Sequence, residues 1–158
     1  MIASARFEDV LYIAANLRAA DRVELAATRA DMDAVRLTED AVSRATHAAV
    51  AFDREGRPAL VLGVSPVHRG VVTVWGFGTE RYRDVGVEMT RFAKRVIIPA
   101  VIASGVHRAQ CLVHPGNRAS QRWLAALGFE PEATLAGFGS GGEDMILYAR
   151  VVDAKSRR

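Results

Sequence analysis

The chain holds a single cysteine, Cys111, in 158 residues. One thiol closes no intrachain disulfide, and no zinc site can be built from cysteines. Cys111 lies inside the apolar run Ala109-Gln110-Cys111-Leu112-Val113, which reads it as a small buried hydrophobe. His47, His68 and His107 show no metal-ligand spacing with one another or with a carboxylate, so no metal is expected. Long hydrophobic runs are missing too. No stretch reaches the length of a membrane span, and the first residues lack the basic segment and apolar run of a secretory signal. A soluble protein of a reducing compartment is expected, with no membrane partner. Charge of one sign is scarce: the formal net charge of +3 is spread along the chain. That distribution excludes a basic patch with interleaved aromatics, so no nucleic-acid partner is expected. Repeats, low-complexity segments and linkers are absent as well.

What is present suits one domain. A length of 158 residues, half of them hydrophobic, supports a single core over 1–152, with 153–158 read as a flexible tail. An edge strand is expected from Ile2 to Phe7. Phe7-Glu8-Asp9 leads into a helix with Val10, Ile13, Ala14 and Leu17 on one face. A second helix runs from about Ala20 to Thr28, and Thr38-Glu39-Asp40 opens a third, through Ala45. Three strand-like runs follow, Ala48–Asp53, Ala59–Val64 and Val71–Phe77, joined by short polar turns as in an antiparallel meander. The longest helical pattern spans Asp84 to Ser104, and Pro99 predicts a kink or early end inside it. A strand over His107–Val113, a helix led by Asn117 and two closing strands, Glu132–Phe138 and Asp144–Val151, complete the order. Strand, long helix, strand implies one parallel pair within an otherwise antiparallel sheet.

The most informative stretch is His114-Pro115-Gly116-Asn117-Arg118-Ala119-Ser120-Gln121-Arg122-Trp123-Leu124-Ala125-Ala126-Leu127-Gly128-Phe129. Pro115-Gly116 turns the chain out of a strand. Asn117 is a good N-cap. Ala119, Trp123, Ala126 and Leu127 recur at helical spacing, and Gly128 stands where a helix needs a left-handed residue to stop. This segment, set in the element order above, resembles the GNAT superfamily of N-acetyltransferases. The resemblance implies an α/β (α+β) fold with a mixed, mostly antiparallel, twisted sheet flanked by helices. It also implies an N-acyltransferase with acetyl-CoA or another acyl-CoA as co-substrate, acting on a small-molecule or protein amine.

That chemistry needs backbone amides at a helix N-terminus for the pyrophosphate, a donor for the acyl oxygen, and a proton acceptor for the amine. In the family the phosphate loop reads Gln or Arg, two residues, Gly, one residue, Gly or Ala. Arg83-Asp84-Val85-Gly86-Val87-Glu88 matches at Arg83 and Gly86 and departs at Glu88. Cofactor contacts are therefore expected from Arg81, Arg83, Val85, Gly86 and Val87, with Asn117 and Trp123 lining the rest of the cleft. The tyrosine that serves the family as general acid, seven residues past the Asn, is here Leu124, which cannot donate a proton; the leaving group would take its proton from solvent, from Tyr82 or from Tyr148. Glu80 and His114, at the ends of two strands, are the candidate bases, each set against an ordinary capping role.

A narrower resemblance rests on Gly76-Phe77-Gly78-Thr79-Glu80, on the Trp-Leu before the Leu-Gly-Phe ending, and on Gly137–Gly142 followed by Met145. These look like phage-encoded GNAT-like proteins, among them internal virion proteins of short-tailed phages. This implies a phage or prophage origin, reduced or lost activity, and a virion or host protein as partner, in the host cytoplasm or in the virion.

Overall fold

The computed structural model describes residues 1–152. The expected tail, 153–158, lies outside the described residues. The chain runs β1 (Ile2–Ser4), α1 (Phe7–Ala15), α2 (Ala19–Thr28), α3 (Ala34–Arg44), β2 (His47–Phe52), β3 (Pro58–His68) and β4 (Val71–Gly78). It continues through α4 (Tyr82–Phe92), a π-helical stretch (Ala93–Ile97), α5 (Ile98–Ala103), β5 (Arg108–Val113), α6 (Arg118–Ala126), β6 (Glu130–Leu135) and β7 (Met145–Val151).

The strands form one seven-stranded sheet in the order β1-β2-β3-β4-β5-β7-β6. Every neighbouring pair is antiparallel except β4 and β5, which are parallel. That exception follows from the intervening helix, because a crossover returns the chain in the same direction. Successive side chains alternate between faces. Val61 of β3 joins Val10, Ile13, Leu37 and Phe77 under α1 and α3, while Leu62 and Val64 join Met89, Val113 and Leu124 under α4–α6.

Several boundaries moved for local reasons. The third helix begins at Ala34, not at Thr38, because Asp33 caps it by accepting from Arg36 N at 2.9 Å. Thr38 sits inside the helix and donates back to Ala34 O at 2.7 Å. The long helix does not break at Pro99. Proline offers no amide to the preceding turn, and the helix widens just ahead of it: Ile98 N reaches back to Ala93 O. A π turn of this kind absorbs one residue without ending the helix.

Gly63 of β3 faces Trp75 of β4 across the ladder. The indole lies over Gly63, where a Cβ would collide with its ring, and is held there by a 2.9 Å bond from Trp75 Nε1 to Ser65 Oγ. Gly63→Ala is expected to cost roughly 1–3 kcal/mol by overpacking. Urea unfolding midpoints check this, and a loss under about 0.5 kcal/mol would contradict it.

Candidate functional site

The parallel β4–β5 ladder is short. Its register covers Val71–Thr73 against Arg108–Gln110 and stops, although β4 continues to Gly78 and β5 to Val113. Beyond Thr73 the two strands part, leaving a wedge between their C-terminal ends. Thr79 N donates to Ala59 O at 2.9 Å, so the alternate residues Phe77 and Thr79 hydrogen-bond toward β3. Gly76 and Gly78 consequently turn their backbone groups toward the wedge.

Helix α2 lies across the open end. Its cap residue and first turn bind the tip of β4: Arg18 N donates to Gly78 O at 2.9 Å, and Gly78 N donates to Asp21 Oδ2 at 2.8 Å. One turn on, Glu24 Oε2 accepts from His114 N, at the tip of β5, at 2.8 Å. At its far end, Ser140 of the β6–β7 loop donates from N to Ala27 O at 2.8 Å and from Oγ to Ala26 O at 3.1 Å. Arg18, Asp21 and Glu24 stand three residues apart and so share one helical face.

That face carries a buried polar cluster. Arg18 clamps Asp21 with two bonds, Nε to Oδ2 at 2.8 Å and Nη2 to Oδ1 at 2.6 Å. Its Nη2 also reaches Asn117 Oδ1 at 3.1 Å, and the guanidinium lies 4.4 Å from the centre of the Tyr82 ring. Asn117 Nδ2 donates to Asp21 Oδ1 at 3.2 Å. Asp21 and Asn117 are each 2% exposed and Arg18 is 8% exposed. Buried charges persist only when paired and hydrogen-bonded, and Asp21 meets that condition through Arg18, Asn117 and the Gly78 amide. Glu24 does not gain a cation of its own. Burial pushes its carboxyl up to about 7, against the lowering effect of the His114 amide, and the Asp21 charge adds to the rise. Burial likewise pushes the Cys111 thiol up to about 12, with Glu24 nearby.

The expected site residues divide between this wedge and its surroundings. Arg81, Arg83, Val85, Gly86 and Val87 gather at the start of α4, beside the wedge. A Cβ on Gly86 would meet open space, which leaves the helix backbone approachable there. Val85 points into the core and Val87 into solvent. Arg81 lies 3.5 Å from Asp53, 3.6 Å from Glu55 and 3.9 Å from Asp84. Arg83 rests against Tyr82, Nε to hydroxyl at 3.4 Å. Glu88 lies 3.1 Å from the Met1 amino nitrogen.

Asn117 is at the wedge, but its side chain belongs to the buried cluster and to the cap of α6, where Oδ1 accepts from Ser120 N at 3.3 Å. Trp123 donates from Nε1 to Thr90 Oγ1 at 2.8 Å, tying α6 to α4. Its ring lines an apolar cavity of about 60 Å³ with Val74, Ile97, Val101, Ala109 and Phe129. A lining so poor in polar groups offers no seat for a pyrophosphate. Leu124 is 2% exposed, within the core. Glu80 Oε1 accepts from Ala19 N at 3.3 Å at the start of α2, and His114 Nδ1 accepts from Gly116 N at 3.0 Å in the turn after β5. Arg18, Asp21 and Glu24 were not singled out from the sequence; their spacing of three on a helix with Leu17 and Leu25 was the available signal. Among the described residues no group of three or more His, Cys, Asp or Glu could hold a metal ion. No helix of the described residues is long and apolar enough to cross a membrane.

No protein-family model and no curated protein sequence matches the chain. Solved structures do. A GNAT superfamily phosphinothricin acetyltransferase from Sinorhizobium meliloti, in complex with AcCoA, superposes with TM-score 0.73 at 15% identity, covering 96% of this chain and 88% of that one. Ard1 from Thermoplasma volcanium gives 0.72 at 15% identity, covering 97% of each chain. Ribosomal-protein-alanine N-acetyltransferase from Brucella melitensis gives 0.70 at 21% identity, over 96% and 99%. These likenesses show that the chain has the GNAT fold.

Proposed function

We propose that this GNAT-fold chain is an N-acyltransferase that takes its acyl group from acyl-CoA lodged in the wedge between β4 and β5. The observation that carries the reading is the ladder that stops at Thr73 and Gln110. A thioester carbonyl and a pantetheine arm need unpaired backbone beside them, and Gly76 turns its edge into the opening. The start of α4 suits a pyrophosphate. The helix dipole favours an anion there, Gly86 leaves room, and Arg81 and Arg83 supply positive charge. The acidic Asp84 is offset by Arg81 at 3.9 Å. Bound acyl-CoA supplies an activated thioester; the protein supplies position and a proton acceptor. The inner end fits less well, since Asp21 already takes the amide of Gly78, so the arm would sit one register short of Gly78 or displace α2. Tyr82, at the start of α4 with its ring against Arg18, is the choice for protonating the departing thiolate.

Calorimetry and thermal unfolding with acetyl-CoA test this. A ligand at a hundred times its Kd adds about 2.7 kcal/mol, a rise in Tm of roughly 5–10 °C for a chain of this size. No heat and no shift at millimolar acetyl-CoA would refute the reading.

A second reading keeps the fold as a binding module that has lost its chemistry. The Asp21–Gly78 bond and the buried Leu124 favour it. A phage origin and a virion location belong to this reading and rest on the sequence resemblance alone. Detecting the protein in purified particles, together with no response to acetyl-CoA, would support it.

A further inference from the structure

We infer that Glu24 is the carboxylate that meets the acceptor amine: it holds the ammonium form and takes a proton as the nitrogen attacks. The inference rests on the acyltransferase reading above. It starts from position. Glu24 lies on the wedge-facing side of α2, and its Oε2 sits 2.8 Å from the amide at the tip of β5. Its donors, the His114 backbone amide and the Asn117 side chain, are neutral.

The other acidic group of the cluster is fully engaged. Both oxygens of Asp21 are taken by Arg18, Asn117 and Gly78. Arg18 is in turn held by Asp21 in a two-bond clamp and covered by the Tyr82 ring. The titratable groups around Glu24 are Arg18 just ahead of α2, Asp21 on it, Cys111 and His114 on β5 and its end, and Tyr82 on α4. The charge of Arg18 is balanced by Asp21, and Cys111 is a neutral thiol at any ordinary pH. Glu24 enters no ion pair among the described residues. The cluster is therefore one positive charge short when Glu24 ionises, and a protonated amine supplies it. Burial and the Asp21 charge hold Glu24 near 7, where a carboxylate accepts protons most effectively at neutral pH.

The step balances without a further reactant. The bound ammonium first gives one proton to water; the uncharged nitrogen then forms a bond to the thioester carbon, a second N–H proton passes to Glu24, the C–S bond breaks, and CoA leaves as thiolate, which takes a proton from solvent. The expected acceptor is a primary amine that is cationic at neutral pH.

Release of CoA from acetyl-CoA is measured between pH 5.5 and 9 with spermidine, an amino-acid amide, a short peptide with a free amino terminus, and water alone as acceptors. The wild-type rate should rise with an apparent pKa near 7. Glu24→Gln keeps an acceptor for His114 N and should lose roughly 100-fold at pH 8 together with that titration, while acetyl-CoA affinity is unchanged. Glu24→Asp should recover part of the rate. Binding of acetyl-CoA without CoA release to any acceptor, or a Glu24→Gln variant with the wild-type rate and pH profile, overturns this inference and leaves the cofactor reading standing. Failure of the wild-type protein to bind acetyl-CoA overturns both.

Discussion

Asp21→Ala is expected to destabilise the fold by roughly 3–5 kcal/mol, the cost of stranding a buried charge. The substitution removes both acceptor oxygens of the Arg18 clamp, and with them the acceptor for Gly78 N and the acceptor for Asn117 Nδ2. Arg18 is then left buried against Asn117 and the Tyr82 ring with no hydrogen-bonded carboxylate, only the more distant charge of Glu24. For a chain of this size, each kcal/mol corresponds to about 2–4 °C in Tm, so the loss should be plain in a thermal scan. Replacing both partners, Arg18→Met with Asp21→Leu, should recover much of it, because an apolar pair of similar volume carries no desolvation penalty. A drop below about 1 kcal/mol for Asp21→Ala, the range of an exposed pair, would mean that the cluster is open to water.

The second large effect is a pH dependence. The carboxyl of Glu24 sits at about 7 in the folded chain and at 4.5 when unfolded. Between those values the native state holds a proton that the unfolded state has released, so stability falls as pH rises through this window. The penalty is absent below pH 4.5 and complete above 7. Glu24→Gln removes it. The variant should match the wild type near pH 4.5 and exceed it at pH 8 by roughly 1–3 kcal/mol, because the side chain is only partly withdrawn from solvent and gives less than the full shift would. Denaturant titrations at the two pH values isolate the difference. An equal gap at both would show that Glu24 titrates as an ordinary surface carboxylate. A gap that opens with pH would make the residue assigned to proton transfer one that the fold tolerates at a cost in stability, as functional groups often are.

Elements governed by near neighbours were legible in the sequence. The Asn117 cap forms as its side chain implies. Gly128 adopts φ 84°, and the turn closes with Phe129 N to Leu124 O and Gly128 N to Ala125 O, both at 3.0 Å, the paired bonds of a glycine-stopped helix. The three-strand meander and the parallel crossover were legible for the same reason, since turn residues and periodicity are local signals. The Asp33 cap was not, because Thr38-Glu39-Asp40 carries the same residue chemistry one turn later. The Arg18–Asp21–Asn117 cluster was beyond reach for a different reason. Its partners are 99 and 96 residues apart along the chain, and nothing local distinguishes a helical Arg-x-x-Asp that is buried from one in solvent. Asn117 could be read as a cap but not as a cluster member, because the same oxygen serves both. Trp123 could be placed on an apolar face but not assigned its bond to Thr90.

The strap formed by α2 also bears on how the molecule assembles. Its three tethers join residues 57, 90 and 114 positions apart. Contacts of that reach pay loop-closure entropy before they return anything. They are expected to form after the β2–β4 meander, the α4–β5 crossover and the β6–β7 hairpin have brought Gly78, His114 and Ser140 to one edge. Docking of α2 is thus the expected closing event of folding, onto an edge that the later elements have already assembled.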